Sequence, residues 1–147
     1  MGKLALTAAA LAAALAPTLA FARAKAPPGP PPQIERTVSS PTATISSSAS
    51  LPAGSRIFFI SGTTPSPPDP AKPDDLGDTR AQTLSVLTKI KTQLESLGLG
   101  MGDVVKMTVF LVAPTPGGRM DSAAMNEVFR TFFGTAEQPN RPTRSTI

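Results

Sequence analysis

Apolar residues recur along this chain with two different periods, and each change of period marks an element. In residues 78–98, Val86, Leu87, Ile90, Leu94 and Leu97 return every three or four positions, while Lys89, Lys91 and Glu95 fall off that face. Such spacing predicts an amphipathic helix. Asp78 can accept hydrogen bonds from the free amides of its first turn, and Gly98 suits its end. A second helix follows from Met125, Val128, Phe129, Phe132 and Phe133, capped by Asp121 or Ser122 and ended by Gly134. A Phe stripe at this spacing is read as core rather than as a ligand box.

Between the two, residues 103–112 read DVVKMTVFLV. Val105, Met107, Val109 and Leu111 share one face, and Val104, Thr108, Phe110 and Val112 the other. A run apolar on both faces predicts a central strand, with a helix on one side and protein on the other. In the first half, residues 56–62 (RIFFISG) form the most definite strand by pattern. Residues 33–50 are rich in Ser and Thr, with Ile34, Val38, Ala43 and Ile45 two or more positions apart; two short half-exposed strands split near Pro41 fit, and disorder is the competing reading. Residues 63–77 carry Pro65, Pro67, Pro68, Pro70 and Pro73, which forbid regular structure. Asp69, Asp74 and Asp75 there lack the spacing of a calcium loop and read as a solvated surface. After Pro139 and Pro142, Arg144-Ser145-Thr146-Ile147 looks like the start of a further strand.

The order β-β-β-α-β-α-β predicts an α+β domain over 33–147, a mixed β-sheet with two helices on one face. No helix is available for the other face. With few apolar residues for a core and no disulfides, a subunit interface is its expected cover, so an oligomer is expected.

Ahead of this domain the pattern is different. Lys3 follows the initiator, residues 4–16 are an Ala/Leu run broken only by Thr7, and Ala20, Ala22 and Ala24 offer A-x-A cleavage sites. No acid precedes Glu35 and Pro17 interrupts the run. Residues 1–24 are therefore read as a secretory signal peptide rather than a retained membrane anchor, which predicts a periplasmic or secreted protein with no stable membrane insertion after cleavage. Residues 25–32, KAPPGPPP, are read as a proline-rich linker favouring polyproline II.

Composition narrows the chemistry. The 147 residues hold 14 basic and 10 acidic side chains, and losing Lys3 and Arg23 with the signal leaves 12 against 10. Tyr and Trp are absent, so the mild positive charge comes without stacking rings, and nucleic acid is disfavoured as a partner. The chain has no Cys and no His. Thiol nucleophiles, zinc-thiolate sites and imidazole acid–base or metal chemistry are thereby excluded. No phosphate loop or nucleophile elbow occurs. Gly98, Gly100 and Gly102 follow a helix, the wrong context for a dinucleotide fingerprint. Neither a cofactor nor a metal is expected. Arg144 stands out chemically: a guanidinium is a rigid donor fork matched to a carboxylate and stays charged at any working pH.

Five blocks then carry a family resemblance. They are Phe59-Ile60-Ser61-Gly62, the helix after Asp78, DVVKMTVFLV, Asn126-Glu127-Val128-Phe129-x-x-Phe132-Phe133, and Pro142-Thr143-Arg144-Ser145-Thr146. In this order and spacing, apart from a longer proline-rich loop after Gly62, they resemble the RidA/YjgF family from about Ile34 to Ile147. The resemblance implies a chorismate-mutase-like fold, a homotrimer with ligand clefts between subunits, and hydrolysis of reactive enamines and imines to 2-oxo acids and ammonia. It implies that Arg144 binds the substrate carboxylate, that Ser61 and Gly62 border the same cleft, and that Thr146 contributes its backbone. The family's tyrosine near the second strand has no counterpart in ISSSA at 45–49. Its glutamate-bearing V-E-I-E strand would follow Ile147, so the resemblance gives no catalytic residue within 1–147 and the chain is expected to be a C-terminally incomplete member. The alternative expectation is a non-enzymatic trimer that binds small carboxylates or serves as an interaction module in the periplasm.

Overall fold

The computed structural model describes residues 33–147. The expected signal peptide and linker, and with them the export reading, lie outside the described residues. The domain is α+β, as expected: β1 (Glu35–Thr37), β2 (Ser48–Ser50), α1 (Thr79–Ser96), a 3-10 turn (Met101–Asp103), β3 (Lys106–Val109), α2 (Ser122–Phe132) and β4 (Thr143–Thr146).

Both helices form where the periodicity puts them, because their signals are local. Asp78 Oδ1 accepts from the Ala81 amide at 2.9 Å, and Asp121 Oδ1 from Ala124 at 3.0 Å. Each replaces a partner that the first helical turn lacks, and such a cap stabilises by about 1 kcal/mol. At the far end of α1, Gly98 adopts φ +73° and the amides of Gly98 and Leu99 bond back to Glu95 and Leu94. Only glycine takes that left-handed backbone readily, so the helix stops there.

Leu87 and Leu94 of α1, Phe129 of α2, and Met101 and Phe133 form the buried core, with Met107 of β3 packed against it. The Phe129 and Phe133 rings lie 4.5 Å apart. Met107, Val109 and Leu111 are half-buried while Thr108, Phe110 and Val112 are exposed. Both helices therefore cover the Met107 side of β3, and the opposite side is open. Leu97, placed on the α1 stripe by spacing, instead follows the helix end and is exposed.

The strands are shorter than their apolar runs and divide into two ladders. β1 pairs antiparallel with β2, Arg36 opposite Ala49. β3 pairs parallel with β4, Met107 opposite Arg144. Chain 110–142, which contains α2, connects the parallel pair, as parallel neighbours require. The run at 56–62, expected to be a strand, has no regular structure and takes no ladder partner. Ile60 packs on the core while Phe59 is 94% exposed and Ile57 61%. A ladder needs a neighbouring edge for the backbone groups; β1 pairs with β2 and β3 with β4, and neither two-stranded ladder takes up 56–62 along its open edges. Among the described residues, no helix is long and apolar enough to cross a membrane.

Candidate functional site

β4 and α2 meet at Arg144, and a third segment is tied to α2 and to the entrance to β4 beside it. Side chains alternate along β4, so Arg144 and Thr146 share the half-buried side and Ser145 points out, where its Oγ accepts from Lys106 Nζ at 2.8 Å. In the parallel register the amides of Thr143 and Ile147 donate to Val105 and Val109 of the neighbouring strand. The alternate amides, those of Arg144 and Thr146, consequently face away from β3.

The Arg144 guanidinium lies over the Phe129 ring, 4.5 Å from Cζ to the centroid, and its Nη2 donates to Asn126 Oδ1 at 2.7 Å. Asn126 and Phe129 are three residues apart on α2, which puts both on one helix face. Stacking uses the plane of the guanidinium and leaves its in-plane donors. One of these, Nη1, is buried and has no acceptor. Burial first, and then the neighbouring charge of Arg130, pushes the Arg144 guanidinium below its ordinary pKa. It keeps its proton throughout the working range even so.

The third segment is 44–46. Ser46 is buried, its amide donating to Pro142 O at 3.0 Å and its Oγ to Arg141 O at 2.7 Å. This clip holds 44–46 against the entrance to β4. Thr44 Oγ1 in turn accepts from Arg130 Nε and Nη2 at 3.1 and 2.8 Å.

Of the residues expected at the site, the structure brings Arg144 and Thr146 onto one side of one strand. Ser61 and Gly62 are exposed at the end of the 56–62 run, and no hydrogen bond among the described residues joins either to Arg144 or Thr146. A Cβ built on Gly62 would meet nothing within 4 Å, so no close approach demands glycine there. Sequence pattern did not mark Asn126, Phe129 and Arg130 as neighbours of Arg144. Their spacing on one helix beside a parallel crossover was the signal that could have found them.

A separate open cleft of about 320 Å³ is lined by Gln33, Ile34, Arg36, Gly102, Asp103 and Asn140. Its arginine serves as a brace, since Arg36 Nη2 donates to Gly102 O at 2.7 Å and to Val104 O at 3.3 Å. Among the described residues no cluster of three acids could hold a metal ion.

The family model described as Endoribonuclease L-PSP matches residues 38–147. A RutC family protein of Pyrococcus horikoshii is 37% identical over 92 residues, covering 61% of this chain and 66% of that protein. The TdcF protein of Escherichia coli K12, named provisionally as a reactive intermediate deaminase, is 35% identical over 92 residues, 62% of this chain and 64% of its own. The matches thus span just under two thirds of these relatives. A Thermotoga maritima crystal structure, provisionally described as an endoribonuclease, has a TM-score of 0.46 at 36% identity, covering 60% of this chain and 61% of that one.

Proposed function

Because the chain belongs to the Endoribonuclease L-PSP family, the RidA/YjgF family of its sequence motifs, we propose that it hydrolyses reactive 2-imino and 2-enamino acids to 2-oxo acids and ammonia. The observation that carries this reading is Arg144: a half-buried guanidinium on a phenyl platform, with an unmet donor and no carboxylate bonded to it among the described residues.

The chemistry asks little of the side chains. A protonated imine carbon is already electrophilic. Water adds to C2, the C2–N bond of the resulting carbinolamine breaks, and nitrogen leaves as ammonia. Arg144 would fix the carboxylate beside that carbon, and holding both reactants in place supplies the rate enhancement by proximity. The outward-facing backbone of Thr146 would bond the same substrate, with Ser61 and Gly62 closing the cleft from a neighbouring subunit. A homotrimer is part of this proposal. Its support is the open side of β3, where Phe110 and Val112 are 79% and 86% exposed, an apolar surface that a second copy would cover.

The test is keto-acid release from freshly generated 2-aminoacrylate. The reading expects release faster than in buffer and its loss in Arg144→Ala. Rates equal to buffer, or full activity in the variant, would sink it. Carboxylate binding without turnover would instead support the non-enzymatic binding module.

A further inference from the structure

The proposed anchor has a second cation beside it. Arg130 lies one residue after Phe129 and four after Asn126 on α2, one helical turn from the amide that holds Arg144. Both donors that Arg130 uses go to the Thr44 hydroxyl, which accepts hydrogen bonds but carries no charge. The ion pairs among the described residues join Arg80 to Glu127 and Lys91 to Glu95, so neither Arg130 nor Arg144 has an acidic partner there. Arg130 is exposed and Arg144 half-buried, an outer and an inner cation on one side of α2. The repulsion is felt at Arg144, where Arg130 adds to burial in lowering the pKa. Like charges gathered without a counter-ion are relieved by an anion that meets both.

Resting on Arg144 as the carboxylate anchor, we propose that the site prefers 2-imino acids carrying a second carboxylate on the side chain, with Arg144 holding the C1 carboxylate and Arg130 the distal one. Arg130 is then the specificity-determining residue. The reaction is unchanged: water oxygen bonds to C2, the C2–N bond breaks, ammonia leaves, and a 2-oxo dicarboxylate results without oxidation or reduction. The rival role for Arg130 is a brace that ties 44–46 to α2 and is indifferent to ligand charge.

Calorimetric titration of the 147-residue chain with 2-oxoglutarate and 2-oxopentanoate separates these roles. The two acids have equal carbon number, and the second has a methyl in place of the distal carboxylate. The expected result is a roughly two- to fivefold preference for 2-oxoglutarate at low salt, the scale of one exposed ion pair, shrinking as salt rises. Arg130→Gln should bring the two acids to near parity by weakening 2-oxoglutarate alone, and Arg130→Lys should keep most of the preference. Equal affinities in the unaltered chain, or a preference that survives Arg130→Gln, would overturn the proposal. If 2-oxopentanoate binds through Arg144 with no preference for the diacid, the anchor stands and the dicarboxylate class falls. If neither acid binds, both fall.

Discussion

Arg36 and Arg144 occupy similar positions with opposite surroundings. Both are half-buried strand residues, both have a buried guanidinium nitrogen without an acceptor, and burial lowers the pKa of both. Arg36 faces two backbone carbonyls, and the nearby charge of Asp103 opposes the effect of burial. Arg144 faces an amide oxygen and a ring, and its charged neighbour is another arginine. The first set of neighbours gives a cation two acceptors and a nearby opposite charge, and fixes β1 to the turn before β3. The second holds a cation in place while leaving its charge unanswered. Burial is common to both; what separates the brace from the proposed receptor is the sign of the charge beside it.

The largest effect is expected at Phe129, which is both core and platform. Phe129→Ala should cost about 3–5 kcal/mol in a denaturant melt, since a fully buried ring paired with Phe133 leaves a cavity. A loss under about 1 kcal/mol would mean that the Arg144 platform is not part of the packed core. Next in size is Arg36→Met, which should destabilise by about 1–3 kcal/mol as two part-buried carbonyls lose a charged donor. Ligand affinity per folded molecule should be unchanged. Arg144→Met should do the reverse: a stability change within about 1 kcal/mol, as a methionine of similar reach replaces an under-satisfied cation, and loss of 2-oxobutanoate binding. Similar melting losses in both variants would erase the distinction. A smaller effect is expected from Asp103→Asn, which keeps an acceptor for the Gly100 amide but removes the charge near Arg36; about 0–1 kcal/mol is the scale.

The smallest effect is on pH. Burial and Arg130 shift Arg144 downward, so charge and binding would be lost as pH rises through its folded pKa, far above neutrality. Between about pH 6 and about pH 9, affinity for a carboxylate should therefore be flat. A titration step in that window would point to a different anchor.

The legible parts of the sequence were those fixed by near neighbours. Asp78, Leu87, Leu94 and Gly98 define α1 within one segment, as Asp121, Phe129 and Gly134 do for α2. Arg56 to Gly62 carries the strongest strand pattern in its half, yet a ladder needs a partner that pattern does not supply. At the site, Arg144 was found through the block Pro142-Thr143-Arg144-Ser145-Thr146. Its neighbours, Asn126, Phe129 and Arg130, are 14 to 18 positions earlier in the chain. They meet it because the β3–α2–β4 crossover folds back, and hydrophobic spacing records that return only as a core stripe.

The most direct test sets the two arginines against each other in one assay. Pyruvate release from 2-aminoacrylate would be followed for the unaltered chain, Arg144→Ala and Arg36→Ala, each normalised to its folded fraction. Acceleration over buffer that Arg144→Ala abolishes and Arg36→Ala retains is the predicted result. Equal rates in the two variants, or no acceleration by the unaltered chain, would contradict it.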